Sequence, residues 1–160
     1  NKLISNHKFN EKKNLEKVLS VLKNNKIVSV VSDAGTPTVS DPGRILVNEC
    51  KKNNIQIFPI PGASAVTAAI SVSGFSENFY FCGFLPEKKN QIKKLFNKVS
   101  QLDCSIIFFI SPNKLSKRID EIKEYFFNRE MVICREITKY HEEYIHTHVN
   151  ELPNINFSSI

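Results

Sequence analysis

The chain has 160 residues, 41% of them hydrophobic and 24% charged, which is the make-up of a folded globular protein and excludes a disordered segment. No apolar run approaches the roughly 20 residues of a membrane-spanning helix, and the N-terminus lacks the charged-then-apolar layout of a signal peptide, so the expected location is cytoplasmic. The net charge of +6, from 22 Lys and Arg against 16 Asp and Glu, favours a polyanionic partner, although 18 Lys, 17 Asn and 18 Ile are also the usage an AT-rich genome imposes on any protein.

The pattern alternates helix and strand along the chain. Asn10 is placed to cap a helix reaching about Lys23, with Leu15, Val18, Leu19 and Leu22 on one face. The unbroken apolar run at 27–31 predicts a strand covered on both faces, as in a parallel sheet. It leads into Ser32-Asp33-Ala34-Gly35-Thr36-Pro37-Thr38-Val39-Ser40-Asp41-Pro42-Gly43. Within that stretch Asp41-Pro42 predicts a helix start, a capping carboxylate followed by Pro at the first helical position. A second strand is expected at 55–60, then the turn Pro61-Gly62 and a small-residue helix over 63–73 closed by Gly74.

After a pause at Ser76-Glu77-Asn78, a natural domain boundary, a strand is expected at 79–84. A basic amphipathic helix follows, with Ile92, Leu95, Phe96 and Val99 on one face. The strand 105–110 stops at Ser111-Pro112, a second cap-plus-Pro start, and Leu115, Ile119, Ile122 and Phe126 make one helical stripe. The last clear strand is 131–134. Such alternation is the signature of an α/β protein. The chain begins in a loop and stops at Ile160 without a finishing element, as a fragment would.

Two segments carry chemistry. The 32–43 stretch leaves a strand and enters a helix, the position at which open α/β sheets bind ligands. Its glycine lets backbone approach a ligand closely. It is neither a Walker loop nor the Gly-x-Gly-x-x-Gly dinucleotide fingerprint, and an ordinary capped turn is the plainer alternative. Pro59-Ile60-Pro61-Gly62-Ala63-Ser64-Ala65 opens a helix whose free N–H groups suit a polar head group; a tight turn with a small-residue packing face explains it equally. Cys50, Cys82, Cys104 and Cys134 lack Cys-x-x-Cys spacing and are expected to be reduced structural thiols. His141, His146 and His148 form no recognised ligand set, so no metal is expected.

Ser-Asp-Ala-Gly-Thr-Pro followed by Ser-Asp-Pro-Gly, then Pro-Gly-Ala-Ser-Ala at the next strand end, resembles the tetrapyrrole methylase superfamily. The branch is that of the 16S (small-subunit) ribosomal RNA cytidine-2′-O-methyltransferases. Phe81-Cys82-Gly83-Phe84-Leu85-Pro86, Ser111-Pro112 and Arg135-Glu136-Ile137-Thr138-Lys139 continue the resemblance, and Leu3-Ile4-Ser5 and Asn10-Glu11 fit it ahead of the first helix. It implies two α/β domains, 1–77 and 78–160, with an S-adenosylmethionine cleft between them, and a homodimer acting on ribosomal RNA of the small subunit. The first strand-helix unit and the last strand of that fold are expected to be missing from this chain.

The resemblance assigns the cofactor pocket to Asp33, Gly35, Thr36, Pro37, Val39, Ser64, Ala65, Ile110, Ser111 and Pro112. Lys139, Glu136 and Asp41 are the polar groups to test as catalytic, with an ion pair and a helix cap as the plainer roles. Lys88, Lys89, Lys114 and Arg135 are the candidate substrate contacts; Lys93, Lys94 and Lys98 share the same basic stretch, and a solvated helix face accounts for it equally. Where relatives read Tyr-Glu-Ser-Pro-His-Arg, this chain has Phe109-Ile110-Ser111-Pro112-Asn113-Lys114. Two other readings stay open: methylation of a tetrapyrrole or a protein side chain, and a non-catalytic remnant that binds RNA or a partner.

Overall fold

A computed structural model describes residues 3–154. The chain forms two compact units, one ending at Ser64 and one beginning at Ala65. In the first, α1 (Glu11–Lys23) packs on α2 (Arg44–Lys52). The 3.6-residue spacing of the α1 stripe brings Val18 and Leu19 onto Leu46 and Cys50, with Ile4, Leu15, Leu22, Val28 and Ile55 around them.

The runs 27–31 and 55–60 do not form the expected strands. An apolar run supplies side chains for a buried strand, but a strand exists only where a neighbour takes its N–H and C=O groups, and neither run has a ladder partner among the described residues. Coverage is one-sided as well. Val28 and Ile55 turn onto the helices, whereas Ile27, Val31, Phe58 and Ile60 are exposed.

The second unit opens with α3 (Ala65–Ser73), two residues later than the sequence suggests. It lies against the strand Glu130–Arg135, and Gly74, with φ 70°, ends it in the left-handed conformation glycine tolerates. β1 (Phe79–Phe84) and β2 (Ser105–Phe109) pair in parallel, Phe79 opposite Ser105 and Phe81 opposite Ile107. The register slips between Phe81 and Phe84, at Gly83 with φ 70°. The crossover between them is α4 (Lys89–Val99), and α5 (Pro112–Leu115), a 3-10 turn and α6 (Ile119–Phe126) follow.

The predicted stripes of these helices make the core. Ile92, Phe96, Val99, Leu115, Ile122 and Phe126 are buried, with Leu95 and Ile119 packed at its edge. Phe96 and Phe126 meet edge to face at 5.0 Å, and burying a ring of this kind stabilises by about 1.5–3 kcal/mol. At the end of α6 the Arg129 guanidinium donates to the carbonyls of Ser100, Leu102 and Cys104, tying the α4–β2 turn to α6. Cys82 is half-buried against this core, and burial, with Cys104 nearby, pushes its thiol up to about 11.

β3 (Glu130–Arg135) pairs not with the parallel strands but antiparallel with β4 (Glu143–His148), Arg135 opposite Glu143 and Glu130 opposite His148. β4 escapes sequence reading because Glu143-Tyr144-Ile145-His146-Thr147-His148 carries too many polar residues for an apolar pattern. A closing 3-10 segment returns Val149 and Leu152 to the core. The described residues are mixed α/β, with one parallel and one antiparallel two-stranded sheet.

Candidate functional site

The 32–43 segment is a contorted loop. Gly35 (φ 69°), Thr38 (72°), Ser40 (63°) and Gly43 (129°) all have positive φ. Glycine adopts this without cost; for Thr38, branched at Cβ, it is a genuine outlier. Ser32 Oγ is 3.2 Å from the carbonyls of both Ala34 and Gly35, and Val39 N–H donates to the Thr36 carbonyl at 3.3 Å. The loop is therefore partly held by its own short side chains.

Two further anchors come from distant sequence. Thr36 Oγ1 donates to the Ala63 carbonyl at 3.4 Å, and a Cβ on Gly35 would lie 3.9 Å from that same oxygen. The first motif and the Pro61-Gly62-Ala63-Ser64 turn thus meet. At the far end, Glu11 Oε1 accepts from Gly43 N–H at 2.9 Å and from Ile45 N–H at 3.0 Å. Asp41 was expected to cap this helix. Instead α2 starts two residues later, Gly43 is its N-cap, and no side chain at the cap position bonds to it. The Glu11 carboxylate, 9% exposed, takes over those orphan donors and complements the positive end of α2.

In the second unit Ile110, Ser111 and Pro112 follow the C-terminal end of β2, beside Leu85-Pro86 after β1; the Leu85 N–H donates to the Phe109 carbonyl at 3.1 Å. Crevices outside the carboxyl ends of parallel strands are where such sheets bind ligands. Lys114 reaches Glu87 at 3.0 Å, and this partner holds the Glu87 carboxyl below its ordinary value. Arg118 donates to the Glu87 carbonyl at 2.7 Å.

Lys139 pairs with Glu136 at 3.1 Å in the β3–β4 loop, where Glu136 (φ 48°) and Thr138 (φ 67°) are left-handed. Arg135 pairs with Glu143 across the ladder at 3.3 Å. Lys89 lies 3.7 Å from Glu121, and Lys93 bonds Glu124 at 3.0 Å. Lys88, Lys94 and Lys98 are exposed and have no ion pair among the described residues. The same residues contain no group of three or more His, Cys, Asp or Glu arranged to hold a metal, and no helix long and apolar enough to cross a membrane.

Glu11 belongs to the Asn10-Glu11 pair that the resemblance includes, but sequence reading gives it no role in the site. Its partners stand 32 and 34 positions away, beyond any local pattern.

The chain is of α/β make-up, with a glycine-bearing loop braced against a second Pro-Gly turn. Residues 3–153 match the family model of the tetrapyrrole (corrin/porphyrin) methylases, and the chain belongs to that family of methyltransferases. It is 42% identical over 150 residues to ribosomal RNA small subunit methyltransferase I of Thermotoga maritima, covering 93% of this chain and 67% of that protein. The protein of the same name from Mesomycoplasma conjunctivae is 44% identical over 146 residues, 89% of this chain and 60% of the relative. The one from Buchnera aphidicola is 45% identical over 141 residues, 87% and 50%. This chain thus spans between half and two thirds of these relatives.

Proposed function

We propose that this chain takes part in S-adenosylmethionine-dependent 2′-O-methylation of a cytidine ribose in 16S, small-subunit ribosomal RNA, in the cytoplasm, as a homodimer with domains at 1–77 and 78–160. The observation that carries the reading is the braced loop. Gly35 has φ 69°, which L side chains rarely adopt, and a Cβ on it would sit 3.9 Å from the Ala63 carbonyl oxygen, where the two motif turns meet; a Cβ on Gly62 would meet nothing within 4 Å. The loop carries backbone amides and the short side-chain oxygens of Ser32, Thr36 and Ser40, groups of the kind that orient a nucleoside or an amino-acid head group. The name shared by the relatives supports ribosomal RNA as substrate.

Bound S-adenosylmethionine would supply a methyl group already activated on a sulfonium. The tasks left to the chain are then alignment and proton removal. Asp33, Gly35, Thr36, Pro37, Val39, Ser64 and Ala65, with Ile110, Ser111 and Pro112, would hold the donor. The acceptor hydroxyl must lose its proton to a neighbouring group, and Lys139, Glu136 and Asp41 are the candidates. Lys139 would have to leave its pair with Glu136 to serve. Lys88, Lys89, Lys114 and Arg135 would contact phosphates, which position an RNA without reading its sequence.

Calorimetric titration of S-adenosylmethionine into the chain and into Gly35→Val tests this, followed by methyl transfer to small ribosomal subunits. Binding that Gly35→Val abolishes supports the reading. Absence of binding by the folded chain, and by a version extended to the length of its relatives, overturns it in favour of a non-catalytic remnant.

A further inference from the structure

We propose that Glu11 is a positioning residue for the ligand loop. Its carboxylate, reaching from the first turn of α1, holds the Asp41-Pro42-Gly43 end of the loop in its ligand-competent shape. The inference rests on the reading of this loop as the S-adenosylmethionine site, and goes beyond it by assigning the loop's shape to a residue outside both motifs.

Three observations carry it. Non-glycine residues at positive φ persist only where their surroundings over-determine them, and Thr38 and Ser40 are two such residues inside six positions. The near end of the loop is braced by the bond from Thr36 to Ala63 and by the Ser32 hydroxyl. The far end has two charge-assisted bonds to one oxygen, Glu11 Oε1, and the cap that sequence predicts from Asp41 is absent. Glu11 is also buried and stands in no ion pair among the described residues, and its carboxylate accepts from the loop amides of Gly43 and Ile45. Removing the carboxylate frees the Gly43 and Ile45 N–H groups and the backbone between Thr38 and Gly43.

The test compares Glu11→Ala, Glu11→Gln and Val18→Ala with the parent chain. Amide exchange at Gly43 and Ile45 and S-adenosylmethionine affinity are both read, at a temperature where circular dichroism shows all four folded. Gln keeps the accepting oxygen and should stay within about threefold of the parent affinity, whereas Ala should weaken it on the order of tenfold. Val18→Ala removes core packing without touching the loop and should leave affinity unchanged. Parent-like affinity in Glu11→Ala overturns the proposal, as does an equal loss in Val18→Ala. If Glu11→Ala does not fold, Glu11→Gln decides, since its weaker acceptor should quicken exchange at Gly43 and Ile45 severalfold; unchanged exchange overturns the clamp. If the parent itself does not bind S-adenosylmethionine, the functional reading falls, and exchange in Glu11→Ala alone judges the clamp.

Discussion

Gly43→Ala is expected to cost much more than an alanine on a helix cap normally does. Two independent penalties meet there. Gly43 has φ 129°, and a Cβ built on it would stand 2.9 Å from Thr38 Cγ2, with Val30 Cγ1 at 3.9 Å. The backbone penalty for an L-residue in left-handed space is about 1–2 kcal/mol, and forcing a methyl into an occupied site adds about 1–3 kcal/mol. Thr38 cannot swing aside freely, because a β-branched side chain has few χ1 choices and its own backbone is left-handed. The expected loss is therefore about 2–5 kcal/mol, read from urea midpoints. The two parts separate in a double-mutant cycle. Thr38→Ser removes the methyl, so Gly43→Ala in that background should cost only the backbone part, leaving a coupling of about 1 kcal/mol or more. Equal losses in both backgrounds would show that the methyl yields without cost. A Gly43→Ala chain as stable as the parent would refute the whole argument.

Arg129→Ala should lower stability by about 2–3 kcal/mol, because three carbonyls lose a charged donor. Arg129→Lys should recover less than half of that, an ammonium being unable to span the fork; a loss under about 0.5 kcal/mol by urea denaturation would mean that water serves the carbonyls equally well. For Glu121, burial pushes the carboxyl up, but its backbone bond and the charges of Lys89 and Arg118 outweigh burial and hold it below 4.5. A depressed carboxyl contributes stability above its unfolded value and loses it as pH falls through the folded one. The stability gap between the parent and Glu121→Gln should therefore be full at neutral pH and close below 4.5. Urea midpoints measured from about pH 7 to about pH 3 check this, and a constant gap would contradict it.

Much of the second unit is legible in the sequence because its information is local. Ile92, Phe96 and Val99 announce a helix face by spacing alone, and Ser111-Pro112 marks a helix start where one occurs. The runs 27–31 and 55–60 mislead because strand formation depends on a partner elsewhere in the chain, which no single run encodes. β4 is silent for the opposite reason: its pairing with β3 is strong while its own pattern is polar. In the site, both motif turns are visible as sequence, yet the bond from Thr36 to Ala63 and the double bond-up of Glu11 are tertiary. Asp41 shows a local preference losing to a tertiary one, since a carboxylate from another helix occupies the role that its position suggests.

The span between Glu11 and Gly43 also bears on the order in which the first unit assembles. Bringing two points 32 residues apart together costs about 3 kcal/mol of chain entropy, more than the net gain of one hydrogen bond. That closure must be driven by burial of Val18 and Leu19 on Leu46 and Cys50, so the helix pair docks first. The loop acquires its bends only afterwards, as the last part of the unit to take shape and the first to open under mild denaturant. Protection of the Gly43 and Ile45 amides from exchange should then fade at a lower denaturant concentration than helical content, with the loop as the fragile step.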